Sequence, residues 1–278
     1  MMFSWQRPRA AKRIDRGRKK FRATCAATLA VVASGLLVST ETWAAPITWG
    51  LPFMIDSPDD IDTSFGRLHE AVNYTDAADT MDDTVNTGTE MITFVRKFAN
   101  DPSLSHSSLQ GDAAGALNDS YDNSPPRFYN TLTGDTALDD VLNGQVWTGQ
   151  PASTVDVIQQ RQIVVTLSGL VAGQDYQLQV LGPADDRSCC AARTVNVDDL
   201  QGNTALLTRS TLHSVLGTFT ADAATQQFAM TGVAAISGND PGLDGYVLRV
   251  IPEPSSSMLV ALGLGIVGLV AGRRSALP

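Results

Sequence analysis

The chain has 278 residues, is 43% hydrophobic and carries 20 basic and 29 acidic side chains, a formal net charge of −9. The charge is uneven: residues 1–44 hold 9 basic and 2 acidic groups and residues 252–278 hold 2 and 1, which leaves 9 and 26 in residues 45–251, a net of −17. Such a body excludes nucleic acid and anionic membrane surfaces as partners, while it suits divalent cations, neutral glycans and the outside of a cell.

The first segment reads as an address. Arg7, Arg9, Lys12, Arg13, Arg16, Arg18, Lys19, Lys20 and Arg22 face a single acid, Asp15, in residues 1–22. Ala23–Val38 is apolar, and Thr42-Trp-Ala44 places small residues at −3 and −1 of a cleavage site after Ala44. This predicts a secretory signal peptide over 1–44, cut by signal peptidase; an uncleaved signal anchor is the alternative. Cys25 lies at the start of the apolar run rather than after it, so it does not read as a lipoprotein cysteine.

Residues 45–251 are long enough for one good core and read as β-rich. Strands are expected near Ile47–Gly50, Leu68–Tyr74, Met91–Arg96, Gln162–Ser168, Gln174–Leu181, Arg193–Val197, Ala205–Thr208, Ser214–Thr220, Gln226–Thr231 and Gly245–Ile251. Apolar residues alternate in Tyr176-Gln-Leu178-Gln-Val180 and in Val195-Asn-Val197, which puts them on one face. Glycines such as Gly169, Gly173, Gly202 and Gly238 punctuate the runs. Many short strands at this spacing predict an antiparallel β-sandwich. One helix is expected over Asp135–Asn143, and residues 100–130 read as a long polar loop.

Four sets of side chains stand out. Cys189-Cys190 are the only cysteines left once the signal segment is removed, and export delivers them to an oxidising compartment. A vicinal disulfide and a pair of small buried thiols are both open readings. Flanking Arg187 and Arg193 would favour thiolate chemistry. Asp60 and Asp62 near the start, with Asp240 and Asp244 near the end, would form a calcium site if the first and last strands are neighbours; solvated Asx turns are the plain alternative. Tyr121, Tyr129 and Trp147 flank the polar segment and are the expected stacking platforms for a sugar. His69, His106 and His213 lack metal or catalytic spacing, and no nucleophile elbow or phosphate loop occurs in the body, so no catalytic residue is expected.

The chain ends in Val250-Ile-Pro-Glu-Pro-Ser255, an uncharged run from Met258 to Gly272, and Arg273-Arg274. Prolines 252 and 254 break any ladder or helix. The run of about 15 residues is short for the ~20 that span a bilayer core, and the arginines would snorkel to the interface. A permanent anchor is one reading. Pro252, Glu253 and Pro254, the transmembrane segment 258–272 and Arg273-Arg274, in that order, resemble the PEP-CTERM sorting signal of exported bacterial proteins. The resemblance implies processing by an exosortase, transient residence in the inner membrane, and delivery to the cell envelope, the cell surface or an extracellular polysaccharide matrix. Gly263-Leu-Gly265-Ile-Val-Gly268 matches a dinucleotide-binding pattern but lacks the following helix and acid, because the chain ends ten residues later.

The body also carries phrases similar to a galactose-binding-like jelly-roll module of exported proteins. They are Ile47-Thr-Trp-Gly50, Asp60-Ile-Asp62-Thr-Ser64, Glu70-Ala-Val-Asn73, Leu167-Ser-Gly-Leu170, Gly173-Gln-Asp-Tyr176, Arg187–Thr194 and Leu216-Gly-Thr-Phe-Thr-Ala221. That resemblance implies a jelly-roll sandwich, flanked here by hydrophobic helices at both termini. It also implies a non-catalytic module that binds carbohydrate or calcium. A purely structural matrix protein and a secreted hydrolase are the other readings.

Overall fold

The computed structural model describes residues 45–108, 117–122, 127–148, 161–233 and 241–253. The expected terminal helices, including the run 258–272, lie outside the described residues. Among the described residues no helix is long and apolar enough to cross a membrane.

Fifteen strands form three sheets. They are β1 (Thr48–Trp49), β2 (Arg67–Tyr74), β3 (Asp83–Asn86), β4 (Met91–Lys97), β5 (Leu104–Ser108), β6 (Leu117–Tyr121), β7 (Gly144–Thr148), β8 (Arg161–Ser168), β9 (Asp175–Leu181), β10 (Thr194–Asp198), β11 (Thr204–Thr208), β12 (Ser214–Thr220), β13 (Thr225–Gly232), β14 (Gly242–Leu243) and β15 (Gly245–Val250). The large sheet runs β1-β12-β9-β15-β2-β4-β3, the second β11-β10-β13-β8-β5, and the small third β14-β7-β6. Pairing is antiparallel except between β2 and β4. The body is the mainly β, sandwich-like architecture that the alternation predicts.

The main core lies between the two large sheets. Tyr176, Leu178 and Val180 of β9, Tyr246 and Leu248 of β15, Val195 and Val197 of β10 and Phe228 and Met230 of β13 are all buried there. A second cluster covers the other face of the seven-stranded sheet. It joins Val247 of β15, Ala71 of β2, Ile92 and Phe94 of β4 and Leu181 to Ile55, Ile61, Tyr129 and Leu138, Val141 and Leu142. Both faces of β15 are therefore buried, which is why Gly245-Tyr-Val-Leu-Arg-Val250 reads as an almost continuous apolar strand.

The second cluster is topped by α1 (Thr136–Val141), close to the predicted helix. Asp135 caps it by accepting from the Ala137 and Leu138 backbone N–H groups at 2.9 and 3.1 Å. Asn143 lies beyond its end and donates to the carbonyls of Tyr129 and Asp139. The 100–130 segment departs from the expected loop, because it holds β5 and β6. Both are edge strands, paired on one side only, with sequences Leu-Ser-His-Ser-Ser and Leu-Asn-Asp-Ser-Tyr. An edge needs no apolar alternation and is blunted by polar residues. The short strands β3, β7 and β14 were not expected either; β3 and β14 are edges, while β7, paired on both sides, is only five residues long.

Candidate functional site

The tail leaves from the end of β15. Ile251 is still part of the fold: its N–H donates to the Asp175 carbonyl at 2.9 Å, and the Gln174 side-chain amide donates to the Ile251 carbonyl at 2.5 Å. On the other flank Gly66 sits at φ +60°, where a Cβ would overlap the Val250 carbonyl oxygen. Glycine is required there by both backbone conformation and space. Arg249, buried on the same strand, donates to the carbonyls of Phe65 and Gly66 and pairs with Glu90. Pro252 and Glu253 are exposed. Phe65 and Val171, each in a loop touching this exit, are 50% and 64% exposed.

A second arrangement is an acidic cluster at the far end of β2. The Asn73 amide donates to Asp83 at 3.1 Å and to Asp79 at 3.5 Å, while its own Oδ1 has no partner among the described residues. Tyr121 donates its hydroxyl to Asp140 at 3.1 Å, and its N–H to Asp76. Burial, with Asp79 and Asp140 nearby, pushes Asp83 up to about 7; burial also raises Asp140. Gly144 lets β7 pass this close, since a Cβ there would meet Asn73 Oδ1 and the Tyr74 carbonyl at 2.9 Å. The signal for this cluster was the run Asp76-Ala-Ala-Asp79-Thr-Met-Asp82-Asp83, which the search for a calcium site did not select.

The third lies around the cysteines. Cys189 and Cys190 are disulfide-bonded to each other in a turn held by N–H bonds from Cys190 and Ala191 to the Arg187 carbonyl. Arg187 does not address the sulfurs. It forks onto Asp185 at 2.9 and 2.7 Å and lies 4.4 Å over the Phe128 ring. Asp185 is fully buried and also faces Arg209 at 3.7 Å. Asp244, next to this pair, accepts from the Ala184 N–H; burial drives its carboxyl well above the usual range.

The predicted calcium set does not come together. Asp60 accepts from the N–H groups of Asp56 and Ser57, and Asp62 from Ser64 and Gln177. Gln179 ties both to the middle of β9 by bonding the Asp62 N–H and the Asp60 carbonyl. Asp244 lies beyond the end of that strand, bonded to Ala184, and Asp240 is outside the described residues. Among the described residues no group of three or more His, Cys, Asp or Glu could hold a metal ion. The sugar platforms fare similarly. Tyr129 is buried, its hydroxyl on the Ile55 carbonyl and its ring edge-on to His213 at 5.0 Å. Tyr121 and Trp147 are half-buried. Among the described aromatic residues only Phe65 is exposed. The histidines stay apart: His69 meets the Ser168 carbonyl, His106 is exposed on β5, and His213 is buried.

Comparison with known proteins adds the following. No curated protein matches the chain. Among solved structures, the ANX2 ectodomain from Arabidopsis thaliana is similar at 11% identity and a TM-score of 0.40, over 71% of this chain and 55% of that one. The chain thus spans about half the length of that ectodomain. The cleaved adhesin domain of Lys-gingipain from Porphyromonas gingivalis is similar at 17% identity and a TM-score of 0.26, over 55% and 92% of the two chains. Residues 250–275 match the PEP-CTERM protein-sorting motif. Its first two residues are those anchored at the end of β15, so the mainly β body runs directly into a PEP-CTERM sorting motif, the mark of a protein exported by the exosortase route.

Proposed function

We propose that residues 45–251 work as a non-catalytic module of the cell surface or the extracellular polysaccharide matrix, freed at Ala44 by signal peptidase and at the tail by the sorting enzyme. The motif at 250–275, continuous with the last strand, carries this reading. An acid-rich exterior keeps such a module soluble outside the cell and off anionic lipid. Fractionation of cells that make the full chain tests it. A shortened product at the surface or in the medium is expected; full-length protein held in the cytosol with both ends uncut would refute it.

Within that role a structural part is favoured over a sugar-binding one. Buried Tyr129 and half-buried Tyr121 and Trp147 offer no open ring for a pyranose. A glycan array separates the two: no retained glycan agrees with a structural part, and saturable binding reverses the preference. Among the described residues the acidic cluster is a place suited to acid–base chemistry, since burial pushes Asp83 up to about 7. Asp79 and Asp83 are both buried and tied to Asn73, which suits a packed joint better than a cleft. Polysaccharide hydrolysis that disappears in Asp83→Asn would restore the hydrolase reading.

A further inference from the structure

The sorting motif is fused to the fold, with no linker between them. Its match begins at Val250, the last residue of β15, and Ile251 is still clamped by Asp175 and Gln174. Pro252, Glu253 and Pro254 follow at once, and only residues 252–257 separate Ile251 from the uncharged run 258–272. Fully extended, those six residues reach about 20 Å, and the triplet lies within about 10 Å of Ile251. An enzyme that takes hold of the triplet in a membrane-side active site is wider than that gap. It cannot reach the three residues without resting on the end of the sandwich from which they emerge.

That end carries an apolar rim. β2 and β9 flank β15, and the loops that lead into them border the exit on both sides. On the β2 side, Phe65 adjoins Gly66, which is packed against Val250. On the β9 side, Val171 belongs to the turn whose Gln174 holds Ile251. Phe65 is the exposed aromatic of the described body, Val171 is an exposed aliphatic on the opposite flank of the exit, and exposed aromatic and aliphatic side chains are the kind that anchor interfaces.

We propose that this rim, Phe65 and Gly66 on one side and Val171 to Gln174 on the other, is the docking surface for the membrane-embedded enzyme that reads Pro252-Glu253-Pro254. The inference rests on the sorting-motif reading of the tail. The body takes part in its own sorting: the enzyme recognises the triplet together with the folded edge beside it. A lipid surface is the poorer occupant, because the body carries a net charge of −17, from 9 basic and 26 acidic groups, and anionic lipid would repel it.

A double-mutant cycle on the full chain tests this in cells that contain the enzyme. Pulse–chase measures the rate of tail removal for four forms: the parent, Phe65→Ser with Val171→Ser, the parent with a ten-residue Gly/Ser spacer after Ile251, and the spacer form with both serines. The serine variant is expected to slow processing about fivefold or more, as loss of an interface anchor does. The spacer moves the rim away, so it should slow processing alike, and the serines should then have no further effect. Equal rates for the parent and the serine variant would overturn the proposal. So would effects of serines and spacer that multiply. A serine variant with a lower melting temperature is replaced by Val171→Ser alone, read by the same cycle. Tail removal in none of the forms would overturn the sorting reading and this proposal together. If the tail-less body binds phosphatidylglycerol vesicles through Phe65 and Val171 while processing rates are unchanged, the rim faces lipid and the proposal fails.

Discussion

His213 offers the sharpest physical test of the fold. Its ring is fully buried against Tyr129; Nε2 accepts from the Ile55 N–H at 3.3 Å and Nδ1 has no partner among the described residues. Burial pulls its value down from 6.5 to about 4, with the Ile55 bond and Asp60 pulling weakly the other way. A neutral ring fits here and an imidazolium does not. Because the folded value lies below the unfolded one, the stability that His213 contributes is complete above pH 6.5 and is lost as the pH falls towards 4. At pH 4 the loss is about 3 kcal/mol, taking 1.36 kcal/mol per pKa unit. His213→Gln keeps an acceptor for Ile55 and cannot titrate. Urea unfolding of both proteins at pH 7.5 and pH 4 should show the wild type losing about 3 kcal/mol more than the variant between the two. Equal losses would mean that the ring is not buried in neutral form between Ile55 and Tyr129.

Asp83 works in the opposite direction. Its folded value, about 7, lies above the ordinary 3.8, so the stability it contributes is full below pH 4 and disappears as the pH rises to 7. Asp83→Asn should therefore melt a few degrees above the wild type at pH 8 and lose that advantage near pH 4; a variant less stable at pH 8 would contradict this. Gly144→Ala forces a Cβ against Asn73 Oδ1, the Tyr74 carbonyl and Thr75, and should destabilise by about 1–3 kcal/mol in the same assay. Arg249→Met leaves the carbonyls of Phe65 and Gly66 without their donor and a part-exposed Glu90 unpaired, and should remove about 1–3 kcal/mol. Intact mass before and after reduction should differ by two hydrogens for the Cys189–Cys190 bond; two thiols that alkylate without reductant would show the pair reduced.

Central strands were legible because both their faces must be apolar or alternate cleanly. Tyr176, Leu178 and Val180 point to the main core as their spacing predicts, and the intervening Gln177 and Gln179 bond to Asp62 and to the Asp60 carbonyl. The helix was legible from Asp135 and the spacing of Leu138, Val141 and Leu142. The polar edge strands Leu104–Ser108 and Leu117–Tyr121 were not, since they bury little and pair on one side, whereas the edge strands β1 and β11 carry enough apolar residues to be read. Tyr129 was misplaced because its neighbours are polar; its burial comes from Ile55 and His213, far away in sequence. Asp60, Asp62 and Asp244 could not be separated without the strand order, which carries Gln179 between them. The rim at the tail exit was likewise hidden, because only the strand order puts the loops of Phe65 and Val171 on the two flanks of β15.

β15, the last of the described strands, is the keystone of its sheet. It alone joins β9 to β2, so before it arrives the sheet is two halves, β1-β12-β9 and β2-β4-β3. This sheet therefore cannot close until Gly245–Val250 is available to pair on both sides. A chain truncated before Gly245 would leave both halves with open, pairing-hungry edges, the state in which secreted β proteins aggregate.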